Sequence, residues 1–354
     1  MPVPEQSHPA TRALHADDSL NMVTDVAPPM HLSTTFRFPS ELEKLIPSED
    51  PVAEFDGKNY VYSREFAPNA TRFEAILSSL LHGHAVCYAT GLAALHAALL
   101  LLNPRRVSVG EGYHGSHEVI SVISRLSGLQ KLGLDCPASD LEKGDVILLE
   151  TPINPLGTAF SIKEYAKKAH DRGAYLVVDT SGLDKATLRG SLCPWACHGQ
   201  SGELAGVRSI RTLTIRVQHA SQSSAKLITW LHRALNEPNP VPNSEAHVVQ
   251  AVLQKIFHAS LQDEPWVRRQ MPNGFGPVFA LVLRSEEFAR ELPRKLAIFH
   301  HATSLGGVES LIEWRAMSDA RVDRKLLRVS IGLEDWQDLK SDLLQAFRSL
   351  VEEQ

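Results

Sequence analysis

Polar side chains that could hold a ligand follow two apolar runs near the middle of the chain. Residues 146–149 lead into Glu150-Thr-Pro-Ile-Asn154-Pro, and residues 174–178 end at Asp179. Apolar runs of this length, separated by a helical pattern, are typical of buried parallel strands. Ligands of open α/β sheets bind at the carboxyl ends of such strands. A carboxylate there can pair with a protonated pyridine nitrogen, as in pyridoxal phosphate, although a strand-terminal Asp can equally cap a helix.

A glycine turn supplies a second candidate site. Tyr88-Ala-Thr-Gly91-Leu92 stands between a short apolar run and an apolar helical pattern. Backbone amides at the start of such a helix form an anion site that suits a phosphate group. With one glycine as the only signal, a plain turn between strand and helix is the better interpretation.

The periodicity of the first half predicts the elements that position these residues. Helical patterns cover residues 71–81, 92–102, 116–126 and 162–172, and strand patterns cover residues 85–89, 106–109, 146–150 and 174–179. Apolar strands that alternate with helices indicate an α/β fold, mainly a parallel sheet with helices on both faces. Residues 181–206 then show no period, which is unusual for a stretch of that length inside a compact domain.

The second half predicts a smaller α+β domain. A long helical pattern covers residues 207–236, followed by a helix at 248–260, a strand at 278–283, a helix at 286–295, a strand at 327–331 and a helix at 336–351. We therefore expect an N-terminal arm over residues 1–60 and a large ligand-binding domain over 61–206, truncated after about residue 180. A connecting helix and a C-terminal small domain then cover residues 207–354.

Composition narrows the class of partner. A formal net charge of −5 over 354 residues gives no basic footprint, which argues against nucleic acid and anionic membranes. Four cysteines in a chain of this size do not suggest a disulfide scaffold, so we expect a cytoplasmic location. Residues 1–18 contain no apolar stretch of the kind that a secretory signal requires. The expected partner is a small molecule.

Taken together, the motifs carry a family resemblance. They are, in chain order, Tyr60-Val-Tyr62-Ser-Arg64, Asn69-Ala-Thr-Arg-Phe-Glu74, Ala89-Thr-Gly91-Leu92-Ala-Ala, Gly112-Tyr113-His-Gly115, the segments at 150–155 and 177–180, Arg208-Ser-Ile-Arg211-Thr-Leu, the segment 304–311 and the segment 327–335. This series resembles the Cys/Met-metabolism PLP-dependent enzymes, the trans-sulfuration family of cystathionine synthases and lyases. The resemblance covers roughly residues 55–350 and implies pyridoxal phosphate (PLP) as cofactor. It also implies fold type I of the PLP-dependent transferases, the aspartate-aminotransferase-like fold.

The resemblance implies a phosphate site that two subunits share. Tyr62 and Arg64 match the pair that reaches into a neighbouring subunit to hold the phosphate of PLP. Gly91 and Leu92 match the backbone amides that bind the same phosphate. A homodimer or homotetramer is therefore expected.

The resemblance also implies roles around the cofactor ring. Tyr113 matches the aromatic residue that stacks on the pyridine ring and assists proton transfer, so it is a catalytic candidate. Asn154 matches the residue that hydrogen-bonds the ring oxygen, and Asp179 matches the partner of the pyridinium nitrogen.

A substrate site is implied further along the chain. Ser304, Leu305 and Arg328 match the site for the substrate carboxylate, which a guanidinium can bind through two parallel hydrogen bonds. Without the motif, a surface ion pair would be the better interpretation of Arg328.

One part of the family pattern is missing. The family continues from its aspartate through a segment ending His-Ser-x-Thr-Lys, whose lysine binds the cofactor covalently. This chain instead runs without that pattern from Thr180 and resumes the resemblance at Arg208. Lys185 is the one lysine near Asp179 and the remaining candidate for the catalytic lysine. We expect the chain as written not to form the covalent link.

Three functions stay open on the sequence. The first is a PLP-dependent enzyme that acts on a sulfur-containing or related amino acid, by elimination or replacement at Cβ or Cγ. The second is a catalytically inactive family member that serves as a binding or regulatory partner subunit. The third is an error in the sequence over residues 181–206, in which case the true protein is the enzyme. No metal site is expected.

Overall fold

The computed structural model describes residues 4, 6–21, 24, 26–45, 60–180 and 199–353. Within these residues the α-helices are α1 Pro9–His15, α2 Pro68–Leu81, α3 Gly91–Leu102, α4 His114–Ser127, α5 Ile162–His170, α6 Gly199–Ile210, α7 Leu213–Leu235, α8 Glu245–Val252, α9 Pro265–Gln270, α10 Glu286–Lys295 and α11 Trp336–Glu352. The β-strands are β1 Arg106–Val109, β2 Gln130–Gly133, β3 Val146–Glu150, β4 Tyr175–Asp179, β5 Leu253–Phe257, β6 Val278–Leu283, β7 His300–His301, β8 Leu311–Trp314 and β9 Leu326–Ser330.

The chain folds as two compact units. The first comprises Met1–Ala98 and Leu188–Thr214, and the second comprises Leu99–Thr187 and Ile215–Gln354. The arm and domain boundaries expected near residues 60 and 206 stay a prediction. None of the described helices is both long enough and apolar enough to cross a lipid bilayer.

In the first unit, an N-terminal helix packs on α2. Arg12 and Ala13 of α1 are buried, and α1 contacts α2. Helix α6 also packs closely on α2. A Cβ atom added at Gly206 of α6 would lie only 3.1–3.2 Å from the ring of Phe73 on α2, so the close packing depends on the glycine. The sequence predicted an arm without regular structure here, and the short helix is a feature that its weak periodicity did not indicate.

The second unit contains a parallel sheet that positions the site. Its strand order is β2-β1-β3-β4, and every neighbouring pair is parallel. The first four residues of β3 are fully buried, as expected for a strand that lies inside a sheet with covered faces. The predicted α/β class with a mainly parallel sheet is confirmed.

The second unit also contains a five-stranded sheet of order β5-β6-β9-β8-β7. Its pairs are antiparallel apart from β7 with β8. All six residues of β6 are buried, and Phe279, Leu281 and Leu283 join residues of α8, α10 and α11 in one apolar core. This is the α+β arrangement that the second half of the sequence predicts.

Three element predictions were wrong in detail. Residues 85–89 form no strand, and the backbone N–H groups of Ala85 and Cys87 instead donate to side chains of α2, namely Oγ of Ser78 and Oε1 of Glu74. The helix predicted over 248–260 ends at Val252, and β5 follows it. The long helical pattern over 207–236 is divided into α6 and α7 at residues 211–212. The short strands β2, β7 and β8 were not predicted.

Candidate active site

A cavity of about 440 Å³ lies between the carboxyl edge of the parallel sheet and the C-terminal sheet of the same unit. Six residues predicted from the sequence line it: Tyr113, Asn154, Asp179, Ser304, Leu305 and Arg328. Glu150, Thr303 and Arg315 also contribute to its wall. A concave site of this size with a few convergent polar groups is typical of a small-molecule site.

The sheet brings the first group of these residues together. The turn after β1 carries Tyr113, β3 ends at Glu150, and β4 ends at Asp179. Glu150 and Asp179 are register partners in the parallel pairing of β3 with β4, so their side chains emerge side by side. The carboxyl ends of three neighbouring strands thus converge on one edge, where ligands of such sheets bind.

Glu150 connects two loops of the cavity through its carboxyl group. One oxygen, Oε2, accepts a hydrogen bond from the backbone N–H of Tyr113 at 2.8 Å. The other, Oε1, accepts one from the backbone N–H of Asn154 at 2.7 Å. Gly112 makes this approach possible, because its φ is +153° and a Cβ atom there would lie 2.3 Å from Oε2. Glu150 therefore holds the backbone of Tyr113 and Asn154, the two residues that are expected to contact the ring of the cofactor.

The same carboxyl group has an unusual proton affinity. Burial of the group, followed by the negative charge of Asp179, raises the pKa of Glu150 to about 7, against the opposing hydrogen bonds from Tyr113 and Asn154. A carboxyl group with this pKa holds its proton through mildly acidic conditions and releases it near neutrality. Below about pH 7, Glu150 is largely protonated, so it can lie beside Asp179 without adding a second full negative charge.

Arg328 lies on the opposite wall of the cavity, on strand β9. Its Nη2 donates to the backbone carbonyl oxygen of Ser304 at 2.5 Å and lies 3.1 Å from Oε2 of Glu313. Burial lowers the pKa of Arg328, and the carboxylate of Glu313 opposes this. Ser304 has a φ of +80°, in the left-handed region that few residues other than glycine adopt. The cavity thus holds a fixed guanidinium beside a strained backbone segment.

Arg315 is a functional candidate that the sequence reasoning missed. Its Nη1 lies 3.3 Å from both carboxylate oxygens of Glu313 and 3.0 Å from Oγ of Ser318. Its Nη2 lies 3.5 Å from Nδ1 of His114. The sequence offered little indication of a role for Arg315, because this residue directly follows the short strand β8, which was itself not predicted.

The remaining predicted residues lie elsewhere. Tyr62 and Arg64 belong to the first unit, where Cζ of Arg64 lies 4.1 Å from the ring centroid of Tyr62 and the Arg64 side chain is 71% exposed. Gly91 and Leu92 begin α3, and Oγ1 of Thr90 accepts from the backbone N–H of Ala93 at 3.0 Å. Lys185 lies outside the described residues.

The cavity fits the ring of PLP through non-covalent contacts. The Asn154 side-chain amide reaches it, and its buried Oδ1 has no hydrogen-bond partner among the described residues. Rotation of the amide by about 180° presents either its oxygen or its nitrogen to a ring oxygen. Asp179 supplies a carboxylate and Tyr113 an aromatic face. In the described part of the chain no lysine lines this cavity, so the covalent attachment has no assigned residue.

The comparison with known families decides the assignment. The sequence model of the family described as Cys/Met metabolism PLP-dependent enzyme matches residues 10–187 and 204–348. The chain belongs to this family. The match pauses only over residues 188–203, within the segment where the sequence loses the family pattern. The resemblance drawn from the motifs is thereby confirmed, and PLP is the cofactor to expect in a member of this family.

Curated relatives match over nearly the whole chain. Cystathionine gamma-synthase of Escherichia coli (strain K12) is 26% identical over 389 residues, which cover 92% of this chain and 93% of that protein. Cystathionine gamma-lyase of Saccharomyces cerevisiae is 25% identical over 416 residues, which cover 98% and 99% of the two chains. Both alignments span more positions than the 354 residues of this chain, so these relatives carry segments that it lacks.

Solved structures confirm the fold. The crystal structure of metB from Corynebacterium glutamicum has a TM-score of 0.80 at 20% identity, covering 98% of this chain and 100% of that chain. The crystal structure of cystathionine gamma-lyase from Lactobacillus plantarum complexed with L-serine has a TM-score of 0.77 at 22% identity, covering 98% and 100%. The predicted fold type I of the PLP-dependent transferases is therefore confirmed for this chain.

Proposed function

We propose that the cavity of the second unit binds PLP together with an amino acid, and that the protein acts on a sulfur-containing or related amino acid. The reaction class is elimination or replacement at Cβ or Cγ. The observation that carries the proposal is the convergence of six residues, each expected from the sequence, on one cavity. The relatives named as cystathionine synthase and lyase support the choice of substrate class.

In this proposal, the residues of the chain hold and orient the reactants. With PLP bound, Asp179 would stabilise a proton on the pyridine nitrogen, Asn154 would hydrogen-bond the ring oxygen, and Tyr113 would offer an aromatic face to the ring. When bound, PLP supplies an electron sink that withdraws electrons from the amino acid. Arg328 and the backbone at Ser304 bind the α-carboxylate, which sets the orientation of the Cα–H bond. The Oη atom of Tyr113 can carry a proton at the cavity wall.

Covalent attachment is the step on which activity depends. A lysine amine must reach the aldehyde carbon within bonding distance, and geometry of that kind requires a positioned segment. Lys185 follows Asp179 by only six residues in the sequence. Asp179 would hold the pyridine nitrogen of PLP, and that nitrogen is across the ring from the aldehyde carbon. We therefore propose that this chain binds PLP without forming the lysine link.

A titration with PLP tests both parts of this proposal. The wild type should bind PLP, and Asp179→Asn should weaken binding by about tenfold, because one charge-assisted hydrogen bond contributes roughly 1.5 kcal/mol. Lys163→Met, a change on the first turn of α5 outside the cavity, is the matched control and should bind as the wild type does. Absence of PLP binding, or equal binding by Asp179→Asn, would contradict the proposed site.

Borohydride reduction followed by peptide mapping tests the lysine. The expected result is that bound PLP is removed by gel filtration and that no peptide carries a phosphopyridoxyl group. A label on Lys185 would show instead that the chain attaches the cofactor and is equipped as an enzyme. Release of a thiol and an oxo acid from cystathionine would then measure its activity.

A partner subunit without its own activity is the second candidate function. The observation that favours it is the lack of a lysine at the cavity wall among described residues. Exposed Tyr62 and Arg64 would still serve a neighbouring site. A homodimer or homotetramer in the cytoplasm is the setting that we propose for either candidate.

A further inference from the structure

Two buried arginines in the cavity share one buried glutamate. The side chains of Arg315, Arg328 and Glu313 are each 3% exposed. Arg328 lies 3.1 Å from Oε2 of Glu313, and Arg315 lies 3.3 Å from both of its oxygens. One carboxylate balances only one guanidinium. The cluster therefore holds an excess positive charge in a place where water screens it poorly.

Both guanidinium groups also retain unused donors. The Nε atoms of Arg315 and Arg328 are buried and have no hydrogen-bond partner among the described residues. Leaving a buried donor unpaired costs about 1–3 kcal/mol, and more when the group is charged. Unpaired donors in a native structure call for an explanation such as a bound ligand. Because both arginines line the cavity, an anion inside it can satisfy them.

The other charged groups near the two arginines leave this excess in place. Asp179 is assigned to the pyridinium nitrogen in the proposed function. Glu150 has its pKa raised to about 7, mainly by burial, so it carries little charge in mildly acidic solution. Asp319 is paired with Arg321 at 3.0 Å. Nδ1 of His114 faces Arg315 at 3.5 Å and brings no negative charge.

The spacing of the two arginines limits the ligand. Nη2 of Arg328 lies 3.1 Å and Nη1 of Arg315 lies 3.3 Å from the same Oε2 of Glu313, so these two nitrogens are at most about 6.4 Å apart. The α-carboxylate of an amino acid and a carboxylate at the end of a short side chain are separated by a comparable distance. A rigid fork of N–H donors suits both groups.

We propose that Arg315 binds a second anionic group at the end of the substrate side chain, while Arg328 binds the α-carboxylate. The preferred substrates are then amino acids with a short acidic side chain or an acidic substituent on it. This inference rests on the proposed function of the cavity and adds the charge of the substrate to it.

Calorimetric titration with L-glutamate and L-glutamine in the presence of PLP tests the inference, because these two ligands match in size and differ in one charge. The wild type should bind L-glutamate about tenfold more tightly than L-glutamine, which corresponds to 1.4 kcal/mol. Arg315→Gln should abolish this preference, because it should weaken L-glutamate binding more than L-glutamine binding. Arg328→Gln should weaken both ligands.

The outcomes separate this inference from the proposed function. Equal affinity of the wild type for the two amino acids, or an unchanged preference in Arg315→Gln, overturns the role of Arg315 alone. Failure of the wild type to bind either amino acid overturns the proposed function, and the inference with it. Arg315→Lys keeps the charge without the planar fork and should retain part of the preference. The comparison of ligands on the wild type needs no variant, so a folding defect does not leave the question open.

Discussion

At the residue scale, the proton on Glu150 links the cavity to pH. In the folded protein the pKa of this carboxyl group is raised from 4.5 to about 7, first by burial and then by Asp179. Between those two values the folded state holds a proton that the unfolded state releases. Folding stability must therefore fall as the pH rises through this window, and the whole loss is present above it.

The neutral variant Glu150→Gln isolates this effect. Urea denaturation from pH 4.5 to 8 should show the wild type losing stability relative to the variant, by on the order of 3 kcal/mol at most. The amide nitrogen of Gln must face the N–H of Tyr113 or of Asn154, which destabilises the variant by an amount that does not change with pH. The test is therefore the difference between the two proteins in the slope of the free energy of unfolding against pH. Parallel curves for the two proteins would show that Glu150 does not titrate in this window.

Residues at or just after the ends of apolar strand runs were the predictable part of the site. Asp179 and Asn154 follow apolar runs that can be identified as strands from neighbouring residues alone. The parallel pairing of β3 with β4 then places the carboxyl ends of both strands at one edge of the sheet. Arg315 could not be found in the same way. It reaches the cavity through its contact with Glu313 and the pairing of β8 with β9, and neither leaves a pattern in the sequence.

At the element scale, Arg72 anchors the N-terminal segment on α2. Its side chain is 4% exposed and pairs with Asp17, which is 1% exposed, at 3.2 Å. Its Nη1 also donates to Oδ1 of Asn21 at 2.8 Å, and its Nη2 donates to the carbonyl oxygen of Leu20 at 2.6 Å. One guanidinium thus satisfies several groups of the segment that follows α1, and nothing apolar of similar size can replace it there.

Removal of this anchor should destabilise the first unit. Among the described residues, Arg72→Met leaves the buried carboxylate of Asp17 with the longer contact to Arg211 at 3.4 Å as its remaining ion pair, and the expected loss in the free energy of unfolding is about 3–5 kcal/mol. Adding Asp17→Asn should recover part of it, because the unpaired charge disappears. Lys167→Met, which breaks an exposed pair with Asp171, is the control and should cost less than about 1 kcal/mol. Urea denaturation gives these values, and equal losses in Arg72→Met and the control would refute the anchor.

Secondary structure was predictable where the apolar residues followed a single spacing, either that of a helix or that of a strand. The strands β1 and β3 and the helix α10 follow the sequence patterns to the residue. The segment 249–256 shows the limit, because Val249, Val252, Leu253 and Ile256 have helical spacing. Pairing with β6 instead extends the chain after Val252 and buries Leu253 and Ile256 in the sheet. Tertiary pairing overrides local preference in such short segments.

At the scale of the whole molecule, family membership was readable because many motifs occur in the same order, whereas assembly is not visible in one chain. Among the described residues, the exposed Arg64, stacked on Tyr62, has an ion pair only with Glu65, at 3.5 Å. A cation on the surface in this state fits the expectation that it completes the phosphate site of a neighbour. Such an arrangement requires at least a dimer, and a two-fold axis would create two equivalent shared sites.

Mixing two defective variants tests the shared site directly. Arg64→Ala and Asp179→Asn should each bind PLP weakly, and light scattering should give a dimer or tetramer for both. After the two are unfolded together and refolded, half of the dimers are mixed, and each mixed dimer has one site free of both changes. About a quarter of the chains should then bind PLP with wild-type affinity, a recovery that two independent sites cannot produce. A monomer in light scattering, or no recovery on mixing, would mean that Arg64 serves no neighbour and that each chain holds its phosphate alone.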